Sequence, residues 1–155
     1  MATDTHGKQA ERDEIDAATL EEMSFMHERR GDLRAALKYH EDALAARKAT
    51  LGDQHSSVGD SLGNIGKVHL RIGDVPKSLQ CYEEALAIKR TAHGDKHASV
   101  GMTLGSIGNV HWQCGDYQKA LRHYQESLEI RKIALGNQHS EVGMNYENHG
   151  SLLQE

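Results

Sequence analysis

The sequence predicts an all-α fold in which pairs of antiparallel helices repeat along the chain. The main observation is a 42-residue period, visible in the Gly-Asp pairs that begin at residues 31, 73 and 115. Aligned without a gap, residues 60–101 and 102–143 are identical at 19 of 42 positions, too many for shared composition alone. Periods of about 20 to 50 residues are typical of stacked arrays, in which each repeat packs mainly on its neighbours. We therefore expect the function to lie on the surface that stacking creates.

Within a repeat, the apolar residues first follow one helical stripe. Leu62, Ile65 and Ile72 fall on one face of a first helix. Gly73 is expected to end this helix, because glycine accepts the left-handed conformation found after a helix. Asp74 is expected to cap the next helix, because its carboxylate can accept the free amides of the first turn.

The second helix of the repeat carries its own apolar stripe. Val75, Leu79, Tyr82 and Leu86 share one face, and Pro76 lies in the first turn, where its missing N–H is tolerated. A short glycine-containing loop then leads to the next repeat. Serines that follow each loop are available to cap the next first helix; they are Ser56, Ser57, Ser99 and Ser140.

These patterns predict seven helices. Their approximate ranges are 14–30, 32–51, 56–72, 74–93, 98–114, 116–135 and 140–153. Residues 1–10 have no apolar period and are predicted to be a mobile tail before the array at 11–155. The repeat units are predicted at about 18–59, 60–101 and 102–143, with a half unit at 144–155. The last helix is either a solvating end cap or an open edge, which would be a boundary within a longer array or a surface for self-association. Its apolar residues are Met144, Tyr146, Leu152 and Leu153.

Composition excludes several classes of partner. The net charge of −5 gives no electrostatic reason to expect nucleic acid or an anionic membrane. No apolar run approaches the roughly 20 residues that span a bilayer, and the polar start lacks the apolar stretch of a signal peptide, so we expect a cytoplasmic protein. Cys81 and Cys114 occupy different repeat positions and are expected to be reduced residues of the core.

The segments LGNIGKVHLRIGDVPKSLQCYEEALAI and LGSIGNVHWQCGDYQKALRHYQESLEI resemble tetratricopeptide repeats. The small residues that carry the likeness in the first segment are Gly66, Gly73, Ser78 and Ala85. The period of 42 in place of about 34 residues is similar to that of kinesin light chains. This resemblance implies a right-handed superhelical solenoid with a concave groove lined by the first helices. The sequence departs from the usual tetratricopeptide pattern, because a histidine stands late in each first helix where an aromatic residue is common.

The resemblance also implies which side chains line the groove. We predict a peptide-binding surface made of Asn64, Lys67, Arg71, Ser106, Asn109, Trp112, Gln113 and Asn148. The first unit would add Glu21, Glu22, Phe25, Glu28 and Arg29. Asparagine can both donate to and accept from an extended backbone, whereas lysine and arginine can pair with acidic side chains. The alternative is a polar face that only meets solvent.

The eleven histidines do not predict a metal or catalytic site. Members of the loop set His55, His97 and His139 recur one repeat apart, at about 10 Å if neighbouring helices pack normally, which is too far for one ion. His93 and His97 are four residues apart, but Gly94 is expected to break the facing geometry. The favoured interpretation is that histidines bond to neighbouring helix ends.

The sequence therefore predicts a non-catalytic protein-interaction scaffold, without cofactor or metal, that binds a peptide segment of a partner in the groove. Two alternatives remain open: a self-assembling structural repeat module, and a peptide-sensing regulatory domain of a larger protein. We expect a monomer or a weak homodimer through the C-terminal helix.

Overall fold

The computed structural model describes the backbone of residues 4–135 and the side-chain surroundings of residues 16–134. Residues 4–135 form six α-helices and no β-strand. The helices are α1 (Asp4–Arg30), α2 (Leu33–Leu51), α3 (Ser56–Ile72), α4 (Val75–His93), α5 (Ala98–Gln113) and α6 (Tyr117–Leu135). The predicted helices from α2 to α6 agree with these bounds to within one residue.

Only α1 differs clearly from its predicted range. It begins at Asp4, ten residues before the predicted start. The early turns of α1 are polar, so they carry no apolar stripe from which a helix could be recognised. The mobility predicted for residues 1–10 stays a prediction, and the predicted helix at 140–153 lies outside the described residues.

Turns between paired helices follow the predicted chemistry. Gly31, Gly73 and Gly115 have φ angles of +79°, +97° and +80°, so each has the positive φ that favours glycine. The aspartate after each glycine accepts a hydrogen bond on Oδ1 from the backbone N–H three residues later, at 3.2 to 3.4 Å. These bonds confirm that Asp32, Asp74 and Asp116 cap the second helices.

Histidines, and not the predicted serines, cap the first helices α3 and α5. The Nδ1 atom of His55 accepts from the N–H of Ser57 at 3.1 Å, and Nδ1 of His97 accepts from the N–H of Ser99 at 3.2 Å. Ser56, Ser57 and Ser99 are not the N-caps because the imidazole of the loop histidine before them accepts the free amide; Ser140 lies outside the described residues. The expectation that histidines bond to helix ends is confirmed for these two residues.

The chain divides into two compact units, the first ending at Cys81 and the second beginning at Tyr82. In the first unit, buried serines bridge the closest approach of paired helices. The hydroxyl of Ser24 on α1 donates to the carbonyl of Ala36 on α2 at 2.6 Å. In the next pair the direction is reversed, since Ser78 on α4 donates to the carbonyl of Gly66 on α3 at 2.7 Å. Each crossing therefore combines a small residue with a satisfied buried hydroxyl.

The second unit packs α5 against α6. Leu104, Ile107, Tyr124 and Ile130 are all buried there, and Ser127 donates from its buried hydroxyl to the carbonyl of Gly101 at 2.6 Å. The crossing lies at Gly108, since a β-carbon built there would come within 2.8 Å of the Tyr124 ring.

Neither cysteine forms a disulfide, and only Cys81 is partly buried. Cys81 is half-buried in the first unit, whereas Cys114 is exposed after α5. The prediction that both cysteines belong to the core is therefore wrong for Cys114. It lies in the turn between α5 and α6, where side chains meet solvent.

Candidate functional site

The exposed face of α3 carries the predicted groove residues that lie in the first compact unit, the one that ends at Cys81. Asn64, Lys67 and Arg71 are spaced three and four residues apart, so they share one side of the helix. Asn64 is half-buried, whereas the side chains of Lys67 and Arg71 are 60% and 41% exposed. The prediction that these three residues point to one surface agrees with the helix.

A pocket of about 400 Å³ opens between α1 and α3. Its lining consists of Phe25, Glu28 and Arg29 from α1 with Lys67 and Arg71 from α3. Three of these side chains are cationic and one is anionic. The pocket therefore carries a local excess of positive charge in a chain whose net charge is −5.

Glu28 organises the charges of this pocket. One carboxylate oxygen, Oε1, bonds Nε2 of the fully buried His40 at 2.9 Å. The other oxygen, Oε2, accepts from Nη1 of Arg71 at 3.0 Å and lies 3.9 Å from Nζ of Lys67. Arg71 also reaches the backbone carbonyl of Glu28 at 3.5 Å. The predicted basic residues of the groove are thus already paired, and Arg71 is held by two contacts.

Sequence reasoning missed this network, although the repeat contains its signal. Glu28 and His40 are both polar at positions that are apolar or aromatic in the other two repeats. The equivalent residues are Leu70 and Trp112 for Glu28, and Tyr82 and Tyr124 for His40. A paired departure from the period therefore marks the polar contact of the first helix pair.

A second ionic cluster joins α1, α2 and α3. The guanidinium of the buried Arg47 forms a two-pronged ion pair with Glu21, with Nη2 to Oε2 at 2.9 Å, and donates from Nη1 to the hydroxyl of Ser61 at 2.8 Å. Glu21 was predicted to face a partner. Because the carboxylate of Glu21 is bound by Arg47, Glu21 supports the packing of α1 against α2.

On α5, two predicted groove residues form hydrogen bonds with other groups of the protein. Ser106 donates to the carbonyl of Met102 at 3.2 Å, which is a bond within the helix. Asn109 accepts, through Oδ1, a hydrogen bond from the hydroxyl of Tyr124. Burial raises the pKa of Tyr124, so its hydroxyl stays protonated and can donate at neutral pH. The side-chain carbonyl of Asn109 therefore already accepts a hydrogen bond from α6.

Trp112 is the main exposed aromatic residue at the end of α5. It is 41% exposed and meets Tyr117 of α6 edge-on, with ring centroids 6.4 Å apart. Gln113 is also exposed. Asn148, the last of the predicted groove residues, lies outside the described residues.

His93 and His97 face each other, contrary to the prediction. Gly94 does end α4, with φ of +86°, but the loop brings the two rings into a stack with centroids 4.2 Å apart. The contact depends on the path of the loop after Gly94, which spacing along one helix does not describe. Among the described residues, no group of three or more His, Cys, Asp or Glu side chains is placed to hold a metal ion.

His111 gives a pH-dependent contribution to stability. Burial, and then the neighbouring charge of His123, lowers the pKa of His111 below 6.5; the two rings stack at 5.2 Å. The folded protein therefore binds this proton less readily than the unfolded chain does. Stability from His111 is complete above pH 6.5 and is lost as pH falls below that value.

An NMR titration of the His111 ring tests whether its pKa is lowered. We expect a midpoint below 6.5 that rises in His123→Ala, because the substitution removes the neighbouring positive charge. A midpoint at or above 6.5 in the unsubstituted protein would contradict the described environment.

Comparisons with known proteins agree with this architecture. The tetratricopeptide repeat family model matches residues 16–91, 62–133 and 99–155, and the chain belongs to this family. Its fold is an all-α repeat solenoid like those of kinesin-light-chain-like repeat proteins, as predicted. Proteins built from tetratricopeptide repeats generally mediate protein–protein interactions and are generally not catalytic.

Solved structures show the same fold at low sequence identity. BtubC (BKLC) from P. vanneervenii is 17% identical, with a TM-score of 0.80 over 89% of this chain and 55% of its own. A kinesin light chain-type protein from Podosopora anserina with nearly identical TPR-like repeats is 18% identical, with a TM-score of 0.77 over 88% of this chain and 65% of its own. The present chain thus spans less than two thirds of the length of each.

A comparison with curated proteins gives no significant match. Within residues 4–135, no helix combines the length and the apolar character that crossing a membrane requires.

Proposed function

We propose that this chain is a non-catalytic interaction scaffold that binds a peptide segment of a partner protein on the exposed faces of its first helices. The observation that carries the proposal is the polar face of α3 beside the 400 Å³ pocket. Asn64, Lys67 and Arg71 combine amide and cationic groups in one row on a rigid helix. A preformed surface of this kind binds without ordering itself, which reduces the entropy lost on association.

The face of α5 supports the proposal within the second unit. Met102 and Trp112 are 49% and 41% exposed. Exposed aromatic residues that are fixed by a neighbour are common anchors of protein interfaces. Ser106, Asn109 and Gln113 would supply the polar contacts around them, and Asn148 stays part of the predicted surface. A cytoplasmic location likewise stays a prediction.

Selection of peptides from a displayed random library tests this function. We expect the chain to enrich related peptides, and a selected peptide to bind at least tenfold more weakly to Lys67→Ala or to Trp112→Ala. Asn109→Ala is a poor probe, because it would also remove the partner of the Tyr124 hydroxyl.

The matched controls are Gln118→Ala and Arg122→Ala, which alter exposed residues of α6. Binding to these variants should change less than twofold. Failure to enrich any peptide family, or equal losses in the α6 controls, would overturn the proposal.

A further inference from the structure

The pocket between α1 and α3 has a charge that a single carboxylate does not match. Arg29, Lys67 and Arg71 line it together with one acid, Glu28, so two positive charges are in excess. A phosphate monoester carries about −1.5 to −2 charge at pH 7, whereas an aspartate or glutamate side chain carries −1. The pocket is therefore complementary to a phosphate dianion.

The position of Arg71 adds to this selectivity. Its guanidinium is fixed by the carboxylate and the backbone carbonyl of Glu28, and Glu28 is fixed in turn by the buried His40. Because Glu28 is 7% exposed and both of its oxygens are bonded, it acts as a support and cannot turn away without breaking the network. Arginine presents a planar set of donors that fits phosphate oxygens, and a fixed guanidinium loses little freedom on binding.

The surroundings of the pocket favour a phosphate on a side chain. The opening is on the exposed face of α3, where the proposed peptide passes, and Phe25, 39% exposed, forms an apolar wall beside the three cations. The chain as a whole is acidic, so it does not attract anions in general. A phosphate bound here must be recognised by the local geometry.

We propose that this pocket recognises the phosphate group of a phosphorylated side chain in the partner's peptide segment. The inference rests on the proposed function, since the phosphate is carried by the bound peptide. It adds a dependence on modification: phosphorylation of the partner would strengthen its binding to this surface.

Titration of the isotope-labelled protein with three capped tripeptides, Ala-phosphoSer-Ala, Ala-Glu-Ala and Ala-Ser-Ala, tests the proposal. Amide shifts around Phe25, Arg29 and Lys67 report binding. We expect the phosphorylated tripeptide to bind at least tenfold more tightly than the glutamate tripeptide, and the serine tripeptide to cause no shifts. Raising the salt concentration should weaken binding. Equal affinities for phosphoserine and glutamate would overturn the selectivity.

Substitutions then locate the site. Arg29→Gln and Lys67→Gln remove charge but leave the hydrogen bonds of Glu28 to His40 and Arg71 in place, so both variants should fold and should bind the phosphorylated tripeptide at least fivefold more weakly. Arg71→Lys keeps the charge but loses the planar donors, and should weaken binding as well. Arg122→Gln on α6 is the control and should bind normally. Unchanged binding in Arg29→Gln and Lys67→Gln would place the phosphate elsewhere and overturn the proposal.

Two further probes identify the source of the phosphate. Inorganic phosphate that binds as tightly as the phosphorylated tripeptide would make this a free-anion site, and a single-stranded oligonucleotide that binds more tightly would make it a nucleic-acid site; either result overturns the peptide proposal. If library peptides bind the α3 face but phosphoserine does not, the phosphate inference fails while the proposed function stands. If neither binds, both fail.

Discussion

Replacing Glu28 with alanine should destabilise the protein by about 3 kcal/mol, because it leaves the buried His40 without its hydrogen-bond partner and Arg71 without its ion pair. His40 is fully buried and would lose the acceptor bonded to its Nε2, while its Nδ1 already lacks a hydrogen-bond partner. We expect a value near the lower end of the usual range, since Arg71 can turn towards water. Chemical denaturation followed by circular dichroism measures the change.

Two variants make this result interpretable. Glu22→Ala alters an exposed residue of the same helix and should change stability by less than about 0.5 kcal/mol. The double variant Glu28→Leu with His40→Tyr installs the residues of the second repeat, Leu70 and Tyr82. It should recover most of the loss, because well-packed apolar residues often replace a buried ion pair without cost. A Glu28→Ala protein as stable as the parent would show that the network contributes nothing to folding.

Gly108→Ala should lower stability by about 1 to 3 kcal/mol, although alanine is the better helix former by roughly 1 kcal/mol. The new β-carbon would lie 2.8 Å from Cδ1 and Cε1 of Tyr124 and 3.3 Å from the carbonyl oxygen of Ala120. The ring cannot move aside easily, because Tyr124 is 4% exposed and its hydroxyl bonds Asn109. Steric overlap therefore outweighs propensity.

Gly63→Ala is the matched control, in a first helix of the other unit. Nothing lies within 4 Å of a β-carbon built at Gly63, so this variant should be neutral or gain up to about 1 kcal/mol. Gly105 is a less suitable control, since a β-carbon built there would lie 3.3 Å from Oγ of Ser127. A higher melting temperature for Gly108→Ala than for Gly63→Ala would contradict the assignment of helix faces.

The period and the turn residues were enough to predict most of the fold. A glycine followed by an aspartate specifies a helix end and a helix start through local backbone chemistry, so Gly73 and Asp74 could be interpreted without knowledge of their neighbours. The start of α1 could not be predicted, because its polar first turns have no apolar stripe. The seventh helix and Asn148 remain predictions.

The candidate site was predicted only as a row of residues. Helix periodicity placed Asn64, Lys67 and Arg71 on one face, but it could not show that Arg71 is bound to Glu28. That contact joins α1 to α3 across 43 positions of sequence, and it depends on His40 from a third helix. Spacing within one helix contains no information about such partners.

The histidine caps of α3 and α5 restrict which amino acids those loop positions can accept. A ring nitrogen that accepts a hydrogen bond carries no proton, so the neutral imidazoles of His55 and His97 are held as the Nε2–H tautomer. Among other side chains, only those with an acceptor close to the backbone, such as asparagine, aspartate or serine, can replace that bond. Lysine or arginine, often treated as basic substitutes for histidine, would leave the helix start uncapped. Tolerance to mutation at these loops should therefore follow hydrogen-bond geometry and not charge.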